Sequence, residues 1–272
     1  MRELLIAEMK GKIPTKLQNS EDLLTSSVIG TFRYLSSSTY IQSVLESSMN
    51  IKGRRLLFDT PIKKCLFEFW PRLDDSEPDV LLRLIDANDH EYLLCIEAKF
   101  WSDKSSEEDT TIDVEERKNW QRDQLAREIE TIHTVDCHKF MKVNQEKLKR
   151  IMFVYLTNDT YLHFKEIKES ISFVKDIDFS IDHIYWLSWK QIFNVINSVS
   201  HFQTPQDAML LTDLGRLLRK KGLVSFNGFH NMQHVYPYVN RYQYENAHKH
   251  YLWSEMKAVD KTIWSYGGKY NG

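Results

Sequence analysis

The sequence predicts an α/β fold: a central mixed sheet flanked by helices, with the core order α-β-β-β-α-β and a C-terminal helical, aromatic-rich extension. Three observations predict it. Apolar runs of strand length follow one another at Cys65–Phe69, Val80–Ile85 and Tyr92–Ile96, with turn residues between them. Segments whose apolar residues recur at helical spacing lie on both sides of that trio. A further run, Ile151–Leu156 (IMFVYL), is apolar throughout, as a strand covered on both faces is.

Residues 1–19 read as a lead-in, since Pro14 opposes a helix through them. Leu24, Val28, Phe32 and Leu35 then fall at helical spacing behind a cap at Asn19 or Ser20. A second helix is expected over Tyr40–Met49, followed by a short apolar run at Leu56–Phe58. The stretch KKCLFEFWPRL, around Cys65–Phe69, reads as a strand that pairs with the one beginning at Val80. Asp74-Asp75-Ser76-Glu77 is an acidic turn. The polar group Ala87-Asn88-Asp89-His90 then joins Val80–Ile85 to Tyr92–Ile96 as a hairpin.

Beyond the hairpin, Glu107-Glu108-Asp109 reads as a solvated acidic loop. A long helix is expected over Val114–Val135, with Trp120, Gln124 or Leu125, Ile129 and Ile132 on or near its inner face. A basic segment over Lys139–Arg150 leads into the apolar strand, and His183–Trp189 reads as another strand before a helix over Lys190–Val199. A last helix starts at Pro205 and stops at Gly222; Arg216, Arg219 and Lys220 suit its C-terminal end and are also candidates for DNA phosphate contact. From Asn231 onward tyrosine, histidine and tryptophan are dense, which suits packing, a protein interface or base stacking. The expected division is a core domain over residues 1–200 and an extension over 201–272, packed on the core or on a partner.

At 272 residues, 42% hydrophobic and 27% charged, the chain has the composition of an ordinary globular protein. A formal net charge of −2 argues against a protein that coats DNA non-specifically, but not against a local basic groove. No long apolar run signals a membrane span, and the charges throughout Met1–Lys10 do not fit a signal peptide. Cys65, Cys95 and Cys137 lack metal-ligand spacing, and Cys65 and Cys95 are expected as buried free thiols of a cytoplasmic protein. The pairs His230/His234 and His248/His250 lack the companions a zinc site needs.

The hairpin carries the chemistry. Asp79 begins its first strand, and Glu97 and Lys99 end its second, so antiparallel pairing brings the three together. Residues two apart in a strand share a face, so Glu97 and Lys99 point the same way and Ala98 turns into the core. Two carboxylates and an ammonium at one sheet end suit Mg²⁺, which binds through few carboxylates and leaves positions for water and phosphate. A surface hairpin with a Glu97–Lys99 salt bridge is the plain structural reading of the same residues.

Pro78-Asp79 followed by Glu97-Ala98-Lys99 resembles the motif of the PD-(D/E)xK nuclease superfamily, whose core order is the one expected here. The resemblance implies a restriction-endonuclease-like fold and a Mg²⁺-dependent endonuclease acting on DNA, leaving a 5′-phosphate and a 3′-hydroxyl; Mn²⁺ is expected to substitute. Asp79, Glu97 and the Ala98 carbonyl would hold the metal, and Lys99 would position and activate the attacking water. Glu21 matches a further metal-shell acid on the preceding helix, or simply complements that helix N-terminus. Gln124, in DQLARE, matches a glutamine that reaches back to the site, with Gln121 as the fallback. Asp74, Asp75 and Glu77 compete with Asp79 for a metal. The stretch TDLGRLLRKKGLVSFNGF resembles the closing segment of bacterial nucleases of this superfamily linked to phage defence, which implies an effector with a partner protein. Cutting both strands favours a homodimer. The alternatives are a nuclease-like subunit that binds or assembles without cleaving, and an RNA nuclease.

Overall fold

Helix α1 (Glu21–Phe32) starts directly after Ser20 and buries Leu24, Val28, Ile29 and Phe32. Helix α2 (Thr39–Glu46) turns Tyr40, Ile41, Val44 and Leu45 inward. The computed structural model describes residues 20–73, 76–100, 111 and 121–225; the expected lead-in, acidic loop and aromatic tail lie outside them. The chain divides into units meeting at Ser225 and Phe226, so all described residues belong to the first.

Strand β1 (Met49–Asn50) is a short edge strand where the helix expected over Tyr40–Met49 has already ended. Strands β2 (Ile62–Phe69), β3 (Val80–Asp86) and β4 (Glu91–Ala98) form an antiparallel meander. Helices α3 (Gln124–Ile132) and α4 (Val135–Phe140) lead to β5 (Leu148–Thr157), which runs parallel to β4. Helix α5 (Phe164–Ser172) precedes β6 (Ile184–Ser188), which pairs parallel with β5 and antiparallel with β1. Helices α6 (Trp189–Asn197) and α7 (Pro205–Lys220) follow. The fold is thus α/β, a mixed six-stranded sheet in the order β1-β6-β5-β4-β3-β2 with helices on both faces.

Strand β4 is buried along its whole length, which is why it reads as an apolar run. Tyr92, Leu94, Ile96 and Ala98 face the layer of α1, α2, α6 and α7, while Leu93 and Cys95 face α3, α4 and α5. Helix α7, expected in the extension, packs on α1 and α6 and ends before Gly222 at φ +71°, a left-handed position that favours glycine. Cys95 and Cys137 are buried free thiols, whereas Cys65, expected to be buried, is half-buried on β2. Among the described residues no helix is long and apolar enough to cross a membrane.

The continuous helix expected over Val114–Val135 does not form across its described part. Asp123 caps a new helix instead, its carboxylate accepting the Ala126 N–H at 3.0 Å. Thr134 caps α4 after a break at His133. Both side chains bond the backbone locally, which competes with helix continuation.

Asp86 and Arg83 fix the register of the hairpin. The Asp86 carboxylate accepts the N–H groups of Asn88 and His90, both at 2.9 Å, and Asp89 takes the turn's left-handed position at φ 65°. Arg83 donates to both Glu91 oxygens at 2.8 and 2.6 Å, and the Asn144 N–H adds a third bond at 3.0 Å. Glu91 is buried, so Arg83→Met is expected to lower stability by about 3–5 kcal/mol through an uncompensated carboxylate. Urea unfolding measures this; a loss under about 1 kcal/mol would contradict a role for the pair.

Candidate active site

The β3–β4 register pairs Val80 with Ile96, so one step further along the sheet Asp79 stands opposite Glu97. Asp79, Glu97 and Lys99 share the parity of Leu81, Leu93 and Cys95 and therefore lie on the α3 side of the sheet. All three are almost fully buried, at 8%, 2% and 8% exposure. Asp79 Oδ2 accepts the Ala98 N–H at 2.8 Å. Lys99 Nζ donates to Glu97 Oε1 at 2.7 Å, and the Lys99 N–H holds Leu156 O on β5 at 2.7 Å. Ala98 itself turns into the opposite core, as the alternation requires.

Helices on both sides of the sheet reach this point. Glu21, the first residue of α1, accepts the Phe100 N–H on Oε2 at 2.5 Å, and its Oε1 lies 3.8 Å from Lys99 Nζ. Glu21 thus reaches the site as well as standing in the first turn of α1. From the other layer, Gln124 Nε2 donates to Glu97 Oε1 at 2.5 Å and to Glu128 Oε1 at 2.9 Å. The Asp123 cap explains this placement: it starts α3 at Gln124, and Ser170 of α5 ties Asp123 down at 3.1 Å. Gln121 precedes the cap and is not on α3. Trp189 Nε1 donates to the Lys99 carbonyl at 3.0 Å.

Two groups at the site escape the sequence reading. Trp70 donates its indole N–H to Asp79 Oδ1 at 3.2 Å and its backbone N–H to Asp79 O at 3.0 Å. It does so at φ 46°, a left-handed conformation that costs a bulky residue energy and marks a constrained position. Nothing in the sequence distinguishes Trp70 from an ordinary strand-end aromatic. Glu128 is 2% exposed one turn beyond Gln124. Its signal is an acid beside the apolar stripe Leu125, Ile129 and Ile132.

The competing features lie elsewhere. Glu77 pairs with Arg72 at 3.4 Å on the surface, and Asp74 and Asp75 are outside the described residues. Arg216 pairs with Asp213 at 3.4 Å, and Arg219 stacks on Phe193 at 5.3 Å and donates to Asn197 at 3.3 Å. Lys221 lies over the Phe100 ring at 5.8 Å, at the rim of the site. A cleft of about 320 Å³ lined by Tyr40, Val199 and His201 contains none of the clustered acids.

Burial dominates the electrostatics. It pushes the Asp79 carboxyl up to about 8, with the Glu97 charge adding to it, against the Ala98 N–H and Lys99. Glu97 is driven well above the carboxylate range by burial and then by Glu128. Burial pushes Glu128 up to about 7, against the Gln124 hydrogen bond. Burial alone would lower Lys99, but Glu97 and Glu21 carry it above its ordinary value. Among the described residues the site therefore gathers the carboxyl groups of Glu21, Asp79, Glu97 and Glu128 near one ammonium, that of Lys99.

Such a donor set fits a hard divalent cation: the donors are carboxylate oxygens, and among the described residues no N–H or hydroxyl reaches the buried Glu97 Oε2. Among the described residues no group of three or more His, Cys, Asp and Glu side chains is already drawn together as a metal cage. Instead Glu97 and Glu21 share the Lys99 ammonium. Comparison of the chain with protein-family models, curated proteins and solved structures returns no match.

Proposed function

We propose that this chain is a divalent-cation-dependent endonuclease of the restriction-endonuclease-like, PD-(D/E)xK class, hydrolysing phosphodiester bonds in DNA. The observation that carries the reading is the meeting of Asp79, Glu97 and Lys99 at one end of β4, with Glu21 and Gln124 reaching them from opposite layers. With α2, β1 and α4 set aside, the order α1-β2-β3-β4-α3-β5 agrees with the core order of that superfamily, which supports the reading.

Asp79 and Glu97, with the Ala98 carbonyl and Glu21, would hold Mg²⁺ or Mn²⁺. When bound, that cation polarises a phosphate oxygen and acidifies an attacking water. The remaining work falls to the chain. Trp70 and the Ala98 N–H aim the two oxygens of Asp79. Gln124 and Lys99 fix Oε1 of Glu97. The Lys99 ammonium hydrogen-bonds the attacking water and offsets negative charge developing on the phosphate. Burial keeps bulk water from weakening these contacts. A 5′-phosphate and 3′-hydroxyl product is what the family resemblance implies.

The resemblance of residues 212–229 supports an effector or subunit of a bacterial phage-defence system acting in the cytoplasm. No zinc module or recognition helix is evident in the sequence, which favours a partner protein as the source of specificity; a homodimer would supply two sites for two strands. The experiment is incubation with supercoiled plasmid and with an RNA of matched sequence, in Mg²⁺ and in EDTA. Nicked and linear plasmid in Mg²⁺ alone is expected. Cleavage of RNA alone would reassign the substrate, and metal-independent cutting would overturn the mechanism.

A further inference from the structure

We propose that Glu128 is a further ligand of the cation site, supplying a charged oxygen beside Glu97; the proposal rests on the nuclease reading above. Glu128 lies on the sheet-facing side of α3, 2% exposed. The Gln124 amide bonds Oε1 of Glu97 at 2.5 Å and Oε1 of Glu128 at 2.9 Å, so one side chain sets the orientation of both carboxyl groups. The Oε2 atoms of both are buried, and among the described residues no donor reaches them except a proton that the two carboxyl groups could share. The two carboxyl groups also lie within hydrogen-bonding reach of each other.

Once both carboxyl groups are ionised they share no proton, and each buried Oε2 has lost its hydration with no donor in return. Here two such oxygens belong to neighbouring acids, in a site where Glu21, Asp79, Glu97 and Glu128 gather around Lys99, the one ammonium there among the described residues. A divalent cation contacting the Glu97–Glu128 pair would satisfy both oxygens and offset the excess negative charge. A purely structural Glu128 would act as a neutral hydrogen-bonding partner of Glu97. Glutamine separates the roles, because it keeps size and hydrogen bonding and loses the charge.

The test is calorimetric titration of the full, metal-free chain with Mn²⁺, comparing wild type, Glu128→Gln and Asp79→Ala. Glu128→Gln is expected to weaken Mn²⁺ binding by about tenfold or more. Its metal-free melting temperature should equal or exceed the wild-type value, since an acid leaves an acidic cluster. Glu128→Asp keeps the charge but withdraws the oxygens by one methylene; it too should bind more weakly, and it carries the test if the glutamine variant does not fold. Wild-type affinity in Glu128→Gln with lost affinity in Asp79→Ala would overturn this assignment and leave the nuclease reading standing. A wild-type chain that binds no Mn²⁺ would overturn both.

Discussion

Lys99→Ala is expected to lower the rate of DNA cleavage by about 10²–10³-fold, the loss typical when one group stabilising transition-state charge is removed. Lys99 is 8% exposed and held by Glu97 at 2.7 Å, so its ammonium is preorganised and needs no reordering when charge develops on the phosphate. The same substitution removes a positive charge from a site rich in carboxylates. Cation binding should therefore be unchanged or tighter in Lys99→Ala, as measured by Mn²⁺ titration. That split between binding and rate is what a catalytic role requires. A structural salt bridge predicts a different result, a drop in melting temperature with cleavage falling only through unfolding. Full activity in a folded Lys99→Ala protein would remove Lys99 from the mechanism.

The second large effect is on stability against pH. The Asp79 carboxyl titrates near 8 and Glu128 near 7, both raised first by burial. In the unfolded chain such groups titrate near about 3.9 and 4.3. Between these ranges the native state holds more protons than the unfolded state, so the free energy of unfolding falls as pH rises. The stabilisation is complete below about pH 4 and is lost through about pH 7–8, several kcal/mol in all. Asp86 and Asp207, which burial would raise but hydrogen bonds hold below the ordinary carboxylate value, act in the opposite sense near the acid end. The clean window is therefore pH 5 to 8, where the metal-free melting temperature should decline. Millimolar Mg²⁺ should reduce the decline, because a bound cation replaces the protons as counter-charge. Asp79→Asn should flatten it. An unchanged slope in Asp79→Asn would show that the buried acid is not its source.

Much of the site was legible because the hairpin is local. The two apolar runs and the turn at Ala87–His90 set the β3–β4 pairing, and that pairing alone brings Asp79 to Glu97. Glu21 and Gln124 were legible in residue type and order, although their reach depends on packing across the sheet. What escaped is set by side chains bonding outside their own element. Asp123 reads as one more polar residue in an amphipathic stretch, yet its capping bond and its tie to Ser170 set the start of α3 there. Helix α5 was not anticipated, because Ile167 is its only fully buried apolar residue. Trp70 and Glu128 owe their positions to the Asp79 and Glu97 oxygens they approach, which sequence spacing cannot express. The two-residue strand β1 is defined by its partner β6 rather than by its own composition.

The most direct test of the account is cleavage of supercoiled plasmid in Mg²⁺ by wild type and Asp79→Ala, purified and assayed together. Asp79 lies at the centre of the reading: both its oxygens are aimed by other groups, and it joins β3 to the Glu97–Lys99 end of β4. Nicked and linear products from the wild type, with no product from a folded Asp79→Ala protein, are predicted. Equal metal-dependent cutting by both would contradict the placement of the chemistry at this hairpin.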